Sequence, residues 1–382
     1  MGSAIIRRAV AIAGLISALL LGGCQTMSRT AFTYDDIAAA SPDIRLDFQR
    51  PADRDHYVAD ANAAALSSRD GHFDLLALSG GGAVGAYGAG LLVGWSQHGD
   101  RPEFEVVTGV STGALIAPFA FVGLDEDAAL EAAFTDGRSD RLLQARWAMS
   151  LVGPGLFRQR PLRDLVAASV TDDLLDRIAA GHRAGRRLYV ATTSLDTQGQ
   201  VVWDMGALAA SDRPDRRQVF IDILTASASI PGVFPPVFVA LAHDGHTVRE
   251  LHADGRTTAN FFIAPERLML DPDLLANAAG GRLWVAINGR PDARFSVASY
   301  SGVGVAARGL DAMMKASTRM SVVAADQFAR LRGLSLSVAM APVGSSENNL
   351  RFDRAWMQGL FDQGRAAALS GTAWTRDPGL PH

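Results

Sequence analysis

Gly109-Val110-Ser111-Thr112-Gly113 sets a serine between two glycines, after a short apolar run at residues 105–108 and before a longer one at 112–122. A hydroxyl becomes a nucleophile where a sharp strand-to-helix turn lifts it clear of the backbone, and small residues on both sides let that turn close. Free amides and the dipole at a helix start favour a developing oxyanion. Alone, G-x-S-x-G is a weak signal in a chain with 38 glycines among 382 residues. A predicted strand before it and helix after it give it a context. A second cluster, Ser79-Gly80-Gly81-Gly82-Ala83-Val84-Gly85, follows the apolar run 73–78. Successive glycines let the backbone present several amides to one anion. Read as an oxyanion loop, Gly80, Gly81 and Gly82 supply donors for acyl transfer, and losing one such donor typically costs about 2.7–4 kcal/mol.

The same glycines also fit the G-x-G-x-x-G of dinucleotide sites. Such a site wants an acidic residue about 20 positions on, at the end of the second strand. Glu103 and Glu105 precede that strand, and its end carries Ser111. The only lysine is Lys315, so a phosphate-loop lysine is missing too, and nucleotide binding is set aside.

Asp254-Gly255, after a predicted strand at 247–251, reads in isolation as a turn. Upstream lies Ala226-Ser227-Ala228-Ser229-Ile230-Pro231-Gly232-Val233-Phe234-Pro235-Pro236, and Asn260 stands six residues past Asp254. In this order the elements resemble the patatin-like phospholipases, with their glycine-rich loop, G-x-S-x-G, Pro-x-x-Phe-Pro-Pro segment and Asp-Gly pair. The resemblance covers residues 72 to 265. It implies a three-layer α/β/α sandwich with a mostly parallel central sheet, and a lipid acyl hydrolase (a carboxylic ester hydrolase). It implies Ser111 as nucleophile and Asp254 as base, an oxyanion held by Gly80, Gly81, Gly82 and Thr112, and turns shaped by Gly85, Gly109, Gly113 and Gly255. Phospholipid or another lipid ester is the implied substrate; no metal and no organic cofactor are needed.

Three departures stand out. Ser79 replaces the Asp of plant members, Arg256 replaces the small residue expected after Asp-Gly, and Phe261-Phe262 replace the usual continuation after the asparagine. A cation beside the base could lower its pKa or meet a phosphate. Other bases remain open. A Ser-His-Asp esterase would use His243, His246 or His252 with Asp196 or Asp204, because the only histidine after Asp254 is His382. A Ser-Lys pair would need Lys315. A non-catalytic envelope lipoprotein that binds lipid or assists assembly is the reading from a different class.

The elements that must position these residues alternate. Strands are predicted at 73–78, 105–108, 187–193, 201–205, 247–251, 283–288 and 334–340. Helices are predicted at 55–67, 83–98, 112–122, 125–134, 162–180, 220–229, 305–331 and 354–369. Such alternation gives an α/β fold. The expected division is a leader at 1–23, a membrane tether and N-terminal segment at 24–70, one catalytic domain at 71–372 and a tail at 373–382.

Composition bounds the partners. Net charge is −4, and the basic residues, all arginine but one, are scattered, so nothing favours nucleic acid. Arg7 and Arg8 precede an apolar stretch, 9–23, that is too short to span a membrane and ends in Leu21-Gly22-Gly23-Cys24. This resembles a bacterial lipobox, with the single cysteine, Cys24, as the lipidated residue. Acyl chains at about 0.8 kcal/mol per buried methylene would hold the protein on a membrane. Gln25 after the cysteine, in place of aspartate, suggests the outer membrane, facing the periplasm.

Overall fold

The computed structural model describes residues 29–143, 154–293, 295–345 and 349–376. The expected leader, Cys24 and His382 lie outside the described residues. Among the described residues no helix is long and apolar enough to cross a membrane.

The strands are β1 (Arg45–Leu46), β2 (Asp74–Leu78), β3 (Val106–Val110), β4 (Arg187–Ser194) and β5 (Gly199–Asp204). They continue with β6 (Val237–His243), β7 (His246–Asp254), β8 (Arg282–Ile287) and β9 (Ser335–Met340). Continuous apolar runs such as Leu75–Leu78 suit strands covered on both faces, the usual state of a parallel sheet. Neighbours β4-β3-β2-β8-β9 are all parallel, while β5 and then β1 extend the β4 edge antiparallel. The β6–β7 hairpin is laid antiparallel onto the end of β4.

The helices are α1 (Tyr34–Ala40), α2 (Pro51–Leu66), α3 (Gly85–His98), α4 (Thr112–Val122), α5 (Asp127–Thr135) and α6 (Arg160–Ser169). After them come α7 (Asp172–Arg183), α8 (Met205–Ala210), α9 (Arg216–Ser227), α10 (Gly302–Arg332) and α11 (Arg354–Leu369). One core, with Leu91, Ile116, Ile178, Leu224 and Phe361, packs α3, α4, α7, α9 and α11 on one sheet face. The second, with Tyr57, Val322 and Phe328, packs α2 and α10 on the other. This is the three-layer α/β/α sandwich expected from the sequence.

Register brings the chemistry to one edge. Leu78 pairs with Gly109, and Val110 with Ala191, so the chain leaves β2 into the glycine loop beside the turn that carries Ser111. Ligands of open α/β sheets lie at this carboxyl end of the strands.

Four expectations change. The single helix at 162–180 is two helices, because Thr171 caps α7 by accepting from the Leu174 amide at 3.1 Å, ahead of Asp172 and Asp173 in the first turn. The segment 29–70 is no free tether, since β1 pairs with β5 and α2 covers one sheet face. A strand, β6, appears at Val237–His243 where none was predicted. The chain past 372 is bound as well: Thr375 bridges Val338, and Trp374 packs on Trp95 and Trp284.

Arg45 fixes the N-terminal segment. Its Nε and Nη2 donate to the two carboxylate oxygens of Glu250, each at 2.9 Å, with both side chains fully buried. Ser194 Oγ donates to the same carboxylate at 2.7 Å. Burial would raise the Glu250 pKa, but His252 and Arg45 outweigh it and hold the group well below the usual range. Removing one partner of a buried pair typically costs about 3–5 kcal/mol through the charge left behind. Arg45→Ala is therefore expected to lower unfolding stability by that order in urea titrations, and adding Glu250→Gln to restore part of it. An Arg45→Ala protein as stable as the parent would show that the pair does not hold this segment.

Candidate active site

Ser111 sits one residue beyond β3 and starts α4 with φ 56° and ψ −124°, a backbone conformation rare for a side-chain-bearing residue. The turn needs glycine on both sides. A Cβ on Gly113 would lie 2.3 Å from the Leu78 carbonyl oxygen, and one on Gly109 would lie 2.6 Å from that of Gly113. The Ser111 amide donates to Ser227 Oγ at 2.9 Å, and Ser227 Oγ donates in turn to the Ala191 carbonyl at 2.7 Å. Strain in the elbow is thus held by a hydroxyl from α9.

Asp254 is the last residue of β7 and pairs across the sheet with Thr192. Its amide donates to the Ser229 carbonyl at 2.9 Å, so the Ala226–Pro236 block grips both sides of the site. The Ser111 hydroxyl donates to Asp254 Oδ2 at 2.6 Å, and the Arg256 amide donates to Oδ1 at 2.8 Å. Both Ser111 and Asp254 are buried. Burial pushes the Asp254 carboxyl up to about 6, with the Arg256 charge, the serine hydroxyl and the Arg256 amide each pulling it back.

The glycine loop is tied down from three sides. Asn288 Nδ2 donates to the Ser79 carbonyl at 2.7 Å, and the Asn288 amide to Ser79 Oγ at 2.8 Å. The Ala83 amide donates to the Asn349 carbonyl at 2.8 Å. Gly80 departs from its expected role, because its amide donates to the Asn260 carbonyl at 2.9 Å and is not free for an oxyanion. Among the described residues the amides of Gly81 and Gly82 have no hydrogen-bond acceptor. Thr112 is the first residue of α4, where an amide has no partner within the helix.

A sequence model of the patatin-like phospholipases matches residues 76–265. Through this domain the chain belongs to the patatin-like phospholipase family. Membership implies lipid acyl hydrolase activity. No curated protein matches the chain. Among solved structures, VipD from Legionella pneumophila is similar at 14% identity and a TM-score of 0.39, over 77% of this chain and 67% of that one.

Beside Ser111 the patatin-like domain opens a narrow apolar cavity of about 60 Å³. Leu115, Phe119, Leu162, Val166, Leu224 and Phe234 line it, with Gly82, Ser111 and Thr112 at its polar end. On its far side the domain depends on residues past the matched segment, because β8 and β9 complete the parallel sheet and Asn288 follows β8.

The other candidate bases lie elsewhere. His243 and His246 flank the β6–β7 turn and are exposed, while His252 is buried against Thr192 Oγ1 at 2.9 Å and Glu250 at 3.0 Å. Asp204 caps α8, and Asp196 pairs with Arg29. Lys315 pairs with Asp311 at 2.9 Å. Among the described residues no histidine hydrogen-bonds Ser111, and no group of three or more His, Cys, Asp or Glu is arranged for a metal ion.

Ser227 and Asn288 are positioning residues whose roles are not readable in the sequence. The quoted Ala-Ser motif contains Ser227 but does not say which backbone atoms its hydroxyl joins. Asn288 ends a predicted strand and carries no motif.

A carboxyl ordinarily near 3.8 that sits near 6 in the fold is a source of instability where it must be charged. Below the lower value both states are protonated and the penalty vanishes. It grows as pH rises and is complete above about 6. Asp254→Asn is therefore expected to stabilise the protein at pH 8, by roughly 2–3 kcal/mol for two pKa units, and to be near neutral at pH 3.5. Urea unfolding at both pH values tests this, and an equal shift at the two would place the effect outside Asp254 ionisation.

Proposed function

We propose that this protein is a serine esterase acting on phospholipids, lysophospholipids or other lipid esters through a Ser111–Asp254 dyad and an acyl-enzyme. The observation that carries the reading is the 2.6 Å hydrogen bond from the elbow serine to a buried carboxylate, beside two free amides. The apolar cavity opening on the same serine has the lining that an acyl chain would pack against.

Each step has its group. Ionised Asp254 takes the Ser111 proton as the hydroxyl oxygen attacks the ester carbonyl, and the carbonyl oxygen acquires the charge. The amides of Gly81 and Gly82, with that of Thr112, donate to this oxyanion, and the α4 dipole adds to them. Collapse expels the alcohol, which receives the proton from Asp254. Water then repeats the sequence on the acyl-enzyme, and Asp254 again serves as base. Every electron pair and proton is accounted for by these residues and water, with no metal or organic cofactor.

The reading extends to place. A diacylglycerol-modified Cys24 at the outer membrane would keep the domain, periplasm-facing, next to its lipid substrates.

Hydrolysis of p-nitrophenyl esters of graded chain length tests the dyad. Ser111→Ala and Asp254→Ala are each expected to lower kcat by at least 10³-fold, the order lost when a member of a catalytic unit is removed. Ser111→Ala should also abolish labelling by a fluorophosphonate probe. Asp254→Ala activity near the parent level would reject the dyad, and a folded parent inert to every ester and to the probe would reject the esterase. Because the base must be ionised, kcat/KM is expected to fall tenfold per pH unit below about 6. Val166→Phe, which narrows the cavity, should depress long-chain more than short-chain turnover. Uniform loss across chain lengths would place the acyl chain elsewhere.

A further inference from the structure

Arg256 is one of the three places at which this chain leaves the family pattern, and its half-buried side chain lies against the glycine loop. A Cβ on Gly80 would lie 2.1 Å from Arg256 Cδ and 2.9 Å from Ser111 Cβ, so the arginine stem and the nucleophile flank the same glycine. Beyond the stem, Arg256 lines a second pocket with Gly80, Gly81, Asn260, Asp311 and Lys315. This pocket lies across the glycine loop from the apolar cavity, which is reached through Gly82 and Ser111.

Two polar atoms of the pocket wall are buried without a partner, Arg256 Nε and Asn260 Oδ1, and Asn260 is 5% exposed. No carboxylate among the described residues forms an ion pair with Arg256. Asp311, an acid of the pocket wall, is engaged by Lys315 at 2.9 Å and by Arg308 at 3.5 Å. Asp254 and Asp311 act on the guanidinium through charge alone, and buried polar atoms left without a hydrogen-bond partner are costly to a fold unless something binds there. A guanidinium presents a planar fork of donors matched to phosphate oxygens, and an ammonium adds a second, mobile point charge.

We infer that the pocket of Arg256 and Lys315 is a phosphate subsite, so that a bound lipid spans the glycine loop with its acyl chain in the apolar cavity and its phosphate against Arg256. The inference rests on the acyl-hydrolase reading for what occupies the Ser111 side, and it names the substrate class as phosphate-bearing lipid. Arg256 is then a specificity residue as well as a neighbour of the base.

Binding of non-hydrolysable amphiphiles to the full chain tests it without any turnover. Titration calorimetry with monomeric dodecyl phosphate, dodecyl maltoside and inorganic phosphate is compared for the parent, Arg256→Gln and Lys315→Gln. Dodecyl phosphate is expected to bind at least tenfold more weakly to each variant, with dodecyl maltoside changed less than twofold. Equal weakening of both amphiphiles, or of neither, overturns the subsite. Inorganic phosphate binding as tightly as dodecyl phosphate overturns the lipid assignment, since the tail would then contribute nothing. Should Arg256→Gln fail to fold, Lys315→Gln on α10 carries the same comparison. Failure of ester hydrolysis in the parent would strike the acyl-hydrolase reading and leave the phosphate result standing, whereas the reverse pattern would strike only the subsite.

Discussion

A carboxylate and a hydroxyl have to meet inside the protein, 2.6 Å apart, although 143 residues separate them in the chain. That contact depends on one antiparallel pairing, Thr192 with Asp254, at the end of a strand whose other partner is parallel. Side chains alternate along a strand, so a slip of one residue in β7 would turn Asp254 to the opposite face. Several independent contacts hold this register. The Asp254 amide is fixed by the Ser229 carbonyl, Thr193 Oγ1 donates to the Asp254 carbonyl, and Glu250 on the same strand is locked by Arg45 and Ser194. The N-terminal segment is thereby tied to the strand that carries Asp254.

The serine side is held by a different device. Strand and helix approach so closely at the elbow that side chains are excluded from Gly109 and Gly113, and the serine is left at positive φ. Strain of this kind persists where surrounding structure over-determines it. Here the surrounding structure is a relay of hydrogen bonds from the Ser111 amide through Ser227 to the Ala191 carbonyl, one residue before Thr192. The Ser111 amide and Asp254 are thus referenced to adjoining residues of β4, the first to Ala191 and the second to Thr192 and Thr193.

What could be read from the sequence follows from how local each signal is. The apolar runs of β2, β3 and β4 and the boundaries of α4 and α11 are set by neighbouring residues, and they were legible. So was the pairing of Ser111 with Asp254, but only through the order of motifs, because Asp254-Gly255 by itself reads as a turn. The break between α6 and α7 was hidden by continuous helical periodicity that a single threonine interrupts. The polar composition of residues 29–70 disguised a segment with charges satisfied far along the chain, Arg45 by Glu250 at a separation of 205 residues and Arg29 by Asp196 at 167. Gly80 and Gly81 are the same residue type in the same cluster; only the Asn260 carbonyl distinguishes the amide that is occupied from the one that is free.

Arg256 brings the two halves of the site into one electrostatic problem. Burial alone would drive the Asp254 proton affinity higher than about 6, and the guanidinium, the hydroxyl and the Arg256 amide bring it back to where the group is ionised at neutral pH. A base that stayed protonated could not accept from serine, and one left near its ordinary value would accept weakly. The same cation is destabilised by the burial that raises the base, so neither group is relaxed in the absence of the other. Arginine at this position thus sets a cation beside the carboxylate, where a small residue would leave the effect of burial unopposed by charge.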